Sequence, residues 1–370
     1  MAKRTKPQFY PVILAGGRGT RFWPLSRKRL AKQLLALNSS ETMIQETMLR
    51  LESVAAAENF WVVTNSDLRD AIVKQLRTVP RGQVLAEPAG RNTSPAIGLT
   101  AFILLRRDPD AVLGLFPSDH VIANEKRFAR DLKTAIDIAR AGENIVVMGV
   151  KPTRAETGYG YIETGAEFKP GVLRVRRFTE KPDAARAEEM VAAGNYFWNS
   201  GMFIWNASTL AAALKEHLPK TAAPLDEIAS TYGTPKFERT FARLYPRCEN
   251  ISVDYAIMEP RSAKGEQASN IYCVPAGFGW NDLGSWAAHY EHRLSQHPSA
   301  NNVIAADDFF ALDAHGNYLH APGKFVAVVG VENLVVVDSG DALLITTRER
   351  AQDVGKIVKY LDEKKLKKLI

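Results

Sequence analysis

The chain has 370 residues, 46% hydrophobic and 24% charged, with 25 Gly, 19 Pro and two cysteines, a composition that excludes disordered, collagen-like and disulfide-stapled classes. No run of 18 apolar residues occurs, and the apolar segment after the opening MAKRTK is cut by Gly16 and Gly17; neither a membrane span nor a signal peptide is expected, and the expected location is cytoplasmic. The formal net charge of +7 would suit nucleic acid, but no basic platform interleaved with aromatics accompanies it, so nucleic acid is not expected as a partner.

In chain order, nine basic and no acidic residues precede Glu41. From Phe9 to Pro152 short apolar runs alternate with helical ones, the signature of βαβ units and a largely parallel sheet. Strands are predicted at 10–15, 60–64, 83–86, 111–116 and 145–150. Helices are predicted at 40–54 with Ser39 or Ser40 as cap, 67–77, 94–107 with Ser94 as cap and Pro95 in the first helical position, and 126–141. Residues 157–290 are more mixed, with strands near 172–179, 201–205 and 270–275 and helices near 183–193, 207–217 and 252–259; they are expected to extend the same sheet and wall its ligand pocket. Cys248 and Cys273 lie in no CxxC or Cys/His cluster and are expected as reduced thiols. After His297-Pro298 the pattern turns to short strands and turns, then to a terminal helix from about Arg348, giving a division into residues 1–298 and a small β-rich unit at 299–370. The lysines at 364, 365, 367 and 368 follow an amphipathic pattern (Val354, Ile357, Val358, Leu361) and are read as a solvated helix face.

The stretch VILAGGRGTRFWPLSRKRLAKQ at 12–33 carries the most chemistry. It fails a Walker A loop, because the residue five after Gly16 is Arg21, and it fails G-x-G-x-x-G, because Phe22 follows Gly17 and Gly19 at the last position. What remains is Gly-Gly-x-Gly-Thr-Arg at the carboxyl end of a first strand. There, backbone N–H groups can approach phosphate oxygens, and Arg18, Arg21 and Lys32 can add charge-assisted contacts. Asp119 follows the apolar run AVLGLF at the carboxyl end of another strand, where ligands of open α/β sheets gather, and Asp282 lies far away in GWNDLGSW. Two carboxylates with phosphate oxygens suit Mg²⁺, although each aspartate taken alone reads more readily as a turn or cap residue.

This stretch resembles the signature of the sugar-1-phosphate nucleotidylyltransferases, and its Trp23-Pro24-Leu25-Ser26 continuation resembles the mannose-1-phosphate guanylyltransferases (GDP-mannose pyrophosphorylases). EPAGRNTSPAIG (87–98), FPSDH (116–120), TGYGYIE (157–163), FTEKP (178–182), NSGMFIW (199–205), SVDYAIME (252–259) and GWNDLGSW (279–286) follow in the order of that family. Phe22, where leucine is commoner, and Ala31, where proline usually precedes Lys-Gln, depart from it. The resemblance implies an α/β fold with a Rossmann-like, mixed and mostly parallel sheet flanked by helices, a small β-helix-like C-terminal domain and a terminal helix. It also implies attack of mannose 1-phosphate on the α-phosphorus of GTP, with Mg²⁺, to give GDP-mannose and pyrophosphate.

By the same resemblance, Arg21 and Lys32 are the catalytic cations and Asp119 and Asp282 the metal ligands. Leu14, Ala15, Gly16, Gly17, Gly19, Thr20, Arg21, Glu87, Asn92, Thr93 and Ser118 are expected on the nucleotide. Glu87, Asn92, Thr93 and the backbone of Leu14 to Gly16 are expected beside the base, where guanine needs acceptors for N1–H and N2–H₂. Gly160, Glu180, Lys181, Asn199 and Asp254 are expected on the sugar phosphate; Glu180 and Lys181, adjacent on a strand, are expected to point apart. His120 is expected to be a packed neighbour rather than a ligand. The partners expected are GTP and mannose 1-phosphate, with a homodimer as the assembly. About 70 residues after Pro298 are too few for an isomerase domain, and no catalytic group is expected from them. The alternatives are the same chemistry on another sugar 1-phosphate or NTP, such as glucose 1-phosphate and dTTP, or a non-catalytic GDP-mannose-binding regulator.

Overall fold

In the computed structural model, residues 8–370 are described; the MAKRTK segment lies outside them. Eleven strands form in the first 281 residues: β1 Phe9–Ala15, β2 Trp61–Asn65, β3 Val84–Glu87, β4 Val112–Pro117, β5 Val121–Ile122, β6 Ile145–Val150, β7 Gly160–Lys169, β8 Val172–Glu180, β9 Tyr196–Asn206, β10 Ile271–Pro275 and β11 Trp280–Asn281. Nine of them make one sheet in the order β3-β2-β1-β4-β9-β6-β10-β8-β7. β1 is buried along most of its length and lies between two parallel neighbours, with Val12 opposite Trp61 and Ile13 opposite Phe116. β9 and β8 run against their neighbours β4, β6, β10 and β7, so the sheet is mixed although most strands point one way. Apolar cores fill both faces, one under the helix Thr93–Arg107 and its neighbours, the other under Met43–Leu51 and Glu125–Arg140.

Several local expectations shift. The first helix begins at Met43, after Thr42, whose hydroxyl and backbone N–H both meet the Gln45 side chain in a capping box, in place of Ser39 or Ser40. The helix predicted to start at Ser94 is capped two residues earlier: Asn92, with φ +63°, accepts the Thr93 N–H at 2.9 Å. An asparagine that tolerates the left-handed region makes this cap available. The strand predicted at 201–205 runs from Tyr196 to Asn206, carried past Gly201 by pairing with both β6 and β7. The helices Pro219–Ser230, Phe237–Leu244 and Trp286–Gln296 were not anticipated.

The second sheet contains β12 Val303–Leu312, β13 Tyr318–Val329, β14 Leu334–Asp338 and β15 Leu343–Thr347. β12, β13 and β14 are parallel, with Val303 opposite Tyr318 and Tyr318 opposite Val335. Parallel strands joined by such short connections require the chain to coil, as in a β-helix. The turns are held by Asn317, which is fully buried: its amide donates to Asn302 Oδ1 (2.9 Å) and Val331 O (3.0 Å) and its carbonyl accepts from Leu334 N–H (2.9 Å). Then a 3₁₀ turn, Arg348–Asp353, leads into the helix Val354–Glu363, which buries Val354, Val358 and Leu361 and leaves Lys356 and Lys359 in solvent; Lys364, Lys365, Lys367 and Lys368 are exposed too, but they follow the helix rather than lying on its face. This unit shares one apolar cluster with Phe22, Trp23, Leu283 and Trp286.

Candidate functional site

The glycine loop follows β1. Its carbonyls are tied down by side chains from behind: Ala15 O accepts from Gln33 Nε2 (3.0 Å) and Thr64 Oγ1 (2.9 Å), Gly16 O from Asn65 Nδ2 (3.2 Å), Gly17 O from Gln33 Nε2 (3.0 Å) and Gly19 O from Ser26 Oγ (2.8 Å). Among the described residues, the N–H groups of Gly17, Arg18, Gly19 and Thr20 have no protein acceptor. A loop with its acceptors engaged and its donors open is suited to an anion. Gly19, at φ +61°, is fixed by a neighbour: a Cβ there would collide with the Lys32 Cβ and backbone, so this close approach requires glycine at 19.

Lys32 is buried (4% exposed). Its ammonium donates to Asp119 Oδ2 (2.9 Å), Asp119 O (3.2 Å) and Asp282 O (2.7 Å) and lies 5.3 Å from the centre of the Phe22 ring. The two aspartates are brought together by a short ladder: β5, just after Asp119, pairs with β11, just before Asp282, through Ile122–Trp280 and Val121–Asn281. Burial opposes ionisation of Asp119, but Lys32 and then His120 outweigh it and hold its carboxyl below the usual range. His120 is a packed neighbour: its Nδ1 accepts from Trp280 Nε1 (3.1 Å), and desolvation lowers its pKa. Tyr159 donates its hydroxyl to Asp282 Oδ1 (2.8 Å) between the rings of Trp198 and Trp280, and burial, then Asp282, pushes the phenol well up. Arg21 is exposed, and its Nη1 donates to Gln352 Oε1 (2.7 Å).

On the side expected to face the base, Glu87 ends β3 with Oε2 near Gly16: a Cβ on that glycine would be 3.5 Å away. Burial raises the Glu87 carboxyl to about 7, against the hydrogen bonds of the Tyr245 hydroxyl (2.6 Å to Oε1) and the Arg91 backbone. Asn92 spends its amide oxygen on the helix cap, and Thr93 Oγ1 accepts from Val253 N–H (3.0 Å). Their free donors are the Asn92 amide N–H₂ and the Thr93 hydroxyl. Ser118 is buried after β4, its N–H bonded to Leu14 O (3.2 Å).

Across the cleft, β7 and β8 place Gly160 opposite Glu180. A Cβ on Gly160 would lie 2.5 Å from Glu180 Oε2, and that oxygen is buried without a hydrogen-bond partner in the protein. Burial and then the Asp254 charge raise the Glu180 carboxyl, with Lys181 opposing. Lys181 corrects an expectation: its ammonium contacts Glu180 Oε1, because the strand ends at Glu180 and Lys181 turns back at φ +48°. Period-2 alternation no longer applies to a residue outside the strand. Asn199 donates from Nδ2 to Asp254 Oδ1 (2.8 Å) and accepts Gly201 N–H at Oδ1 (2.9 Å). Burial raises the Asp254 carboxyl as well.

Sequence reasoning missed Gln33, Tyr159, Tyr245 and Gln352. The first two lie inside quoted motifs, where an uncharged polar residue next to a cation or a glycine was the available signal; the last two had none. A cavity of about 560 Å³ between Pro24–Leu35 and the second sheet, lined by Arg27, His320, Lys324 and Asp341 among others, contains none of the residues above.

Residues 10–297 match the family model described as nucleotidyl transferase, and 307–361 the model described as MannoseP isomerase/GMP-like beta-helix domain. The chain is 39% identical to the alginate biosynthesis protein AlgA of Pseudomonas aeruginosa, over 95% of its own length and 72% of the relative's. It is 37% identical to a mannose-1-phosphate guanylyltransferase of Salmonella muenchen, over 95% and 73%. A solved structure from Thermus thermophilus, described as mannose-1-phosphate geranyltransferase, superposes with a TM-score of 0.84 at 31% identity, covering 96% of this chain and 99% of that one.

Proposed function

This chain belongs to the nucleotidyl transferase family, and from that premise we propose that its cleft transfers the GMP unit of GTP to mannose 1-phosphate, releasing pyrophosphate and forming GDP-mannose. The observation that carries the reading is the convergence on Lys32: packed by its Cβ against Gly19, it sends one buried ammonium to the Asp119 carboxylate and the Asp282 backbone carbonyl, beside a loop whose carbonyls are already engaged. Two anions must meet in this reaction, and little covalent help is needed from the protein; positioning and charge neutralisation do most of the work. The loop amides and Arg21 hold the β- and γ-phosphates. Lys32 faces the reacting phosphate, and the sugar phosphate oxygen attacks in line with the departing pyrophosphate.

Glu87 reads guanine by accepting from N1–H and N2–H₂, with Asn92, Thr93, Ser118 and the backbone of Leu14 to Gly16 around the base and ribose. Glu180, Asn199, Asp254 and the Gly160 backbone take the mannose hydroxyls, supported by the unpartnered Glu180 Oε2, and Lys181 reaches the sugar phosphate. Asp119 and Asp282 suit a divalent ion, taken here as Mg²⁺. Lys32 and Tyr159 each occupy one carboxylate oxygen, leaving the second oxygen of each outside those bonds. The ion, when bound, neutralises charge on the α-phosphate and the leaving group. Residues 1–298 form the catalytic part and 299–370 the β-rich tail in this reading, with a cytoplasmic homodimer as the assembly. No helix among the described residues is long and apolar enough to cross a membrane.

The test is pyrophosphate release from purified protein given each NTP and each hexose 1-phosphate in turn. GTP with mannose 1-phosphate is expected to be fastest; faster release from dTTP with glucose 1-phosphate would overturn the assignment.

A further inference from the structure

The second sheet and its terminal helix are not an independent appendix to the cleft. Gly355 lies on the glycine loop so closely that a Cβ there would be 3.3 Å from Thr20 Oγ1 and 3.8 Å from Arg21 Cγ. Trp23 Nε1 donates to Leu369 O (2.8 Å), and Phe22 and Trp23 share one apolar cluster with Val354, Val358 and Leu361. On this support sits Gln352, at the end of the 3₁₀ turn that precedes the helix, with its Oε1 accepting from Arg21 Nη1 at 2.7 Å. The same Nη1 faces the Asp282 loop: it is 3.7 Å from where a Gly284 Cβ would be, a point 3.2 Å from Asp282 Oδ2.

We propose that Gln352 is a positioning residue for the nucleotidyl transfer, holding the Arg21 guanidinium toward the reacting centre before GTP arrives. The proposal rests on the reading that Arg21 grips the GTP phosphates. An exposed arginine loses considerable rotamer freedom when it is fixed on a ligand. A neutral amide acceptor takes one of its five N–H donors and removes that cost in advance without cancelling the charge. A carboxylate in the same place would orient Arg21 too, but as an ion pair that competes with phosphate.

The experiment is a kinetic cycle on the full chain with Gln352→Met, Gln352→Glu, Arg21→Ala and the Gln352→Met/Arg21→Ala double variant. Gln352 is exposed, so the melting temperature should stay near wild type. Gln352→Met is expected to raise the KM for GTP by about 3- to 10-fold, the scale of one hydrogen bond net of water, with the KM for mannose 1-phosphate unchanged. Gln352→Glu is expected to raise it further, by neutralisation. In the Arg21→Ala background Gln352→Met is expected to add nothing. If Gln352→Met leaves the GTP KM at the wild-type value, or acts equally with and without Arg21, the positioning role is overturned while Arg21 keeps its own. If Arg21→Ala itself binds and turns over GTP normally, the reading of Arg21 falls and the proposal falls with it.

Discussion

The two banks of the cleft solve different problems. The nucleotide bank has fixed positive charge and open amide donors, with Lys32 fully engaged and the loop carbonyls engaged from behind. The proposed hexose bank has carboxyls that burial raises, Glu180 further by the Asp254 charge, and the Glu180 carboxyl has an oxygen that no protein donor reaches. An anion that is strongly hydrated in water is best met by a site whose dipoles need no rearrangement. A neutral sugar supplies its own donors, so a site for it can leave acceptors unsatisfied until it binds. On the proposed assignment, rigidity on one side and unmet hydrogen-bonding capacity on the other follow from the charge of what each bank would hold.

The largest expected effects test the fixed bank. Lys32→Met should lower kcat/KM by about 10²- to 10³-fold, the scale of one preorganised charge stabiliser. Asp119→Asn and Asp282→Asn should each cost about 10²-fold, with the double variant little worse than either, because groups that hold one ion act as a unit. Steady-state kinetics with circular dichroism as the folding control decides it: multiplying losses, or full activity in EDTA, would break the picture of one shared metal between the aspartates. A smaller effect tests the sugar bank. Glu180→Gln should raise the KM for mannose 1-phosphate by about 10-fold, the upper scale of one hydrogen bond net of water, and leave the GTP KM alone; a matching rise for GTP would mean that the banks are not separate.

The smallest effect belongs to Glu87, which sits on the proposed nucleotide side yet is shifted upward by burial, as Glu180 and Asp254 are. Its folded pKa of about 7 lies above the ordinary 4.5, so as pH falls through 7 it takes up a proton and loses an acceptor for guanine. GTP binding should weaken severalfold between pH 8 and 6, given that each unit below the pKa removes up to about tenfold of the ionised form. The stability sign is opposite: between pH 4.5 and 7 the folded chain holds this proton more often than the unfolded one, so stability contributed by Glu87 falls as pH rises through that window. Glu87→Gln should flatten both profiles relative to wild type, after the titration of GTP itself is subtracted; parallel wild-type and variant profiles would remove Glu87 from base reading.

Much of this molecule was legible in the sequence, for identifiable reasons. The apolar runs of β1, β2, β4 and β6 are long enough and bounded sharply enough by turns that period and length suffice. The glycine loop and its cations were visible because close backbone approach needs glycine in any fold. The β5–β11 ladder was not, since two residues on each side carry no periodic signal, although that ladder joins Asp119 to Asp282. The pairing of Glu180 with Lys181 was misread because the strand rule was applied one residue past the strand. The cap at Asn92 was missed because its left-handed φ is a property of the fold around it. Tyr245 and Gln352 lie 158 and 331 residues from their partners, and no local pattern points across such distances.

The hydrogen bond from Trp23 to Leu369, 346 positions apart, bears on how the protein is made. A ribosome makes the glycine loop long before it reaches Leu369, and the sheet can begin to collapse as the middle of the chain emerges. Met43 and Val121 supply part of the cover over Phe22 and Trp23, but much of it comes from residues synthesised hundreds of positions later, among them Val354, Val358 and Leu361. Until those are delivered, a growing chain has the glycine loop with only part of its support, and two large aromatic side chains only partly covered. Chains stalled near residue 300 should therefore lack tight GTP binding and present those aromatics to chaperones, which links the onset of activity to synthesis of the second sheet and its helix.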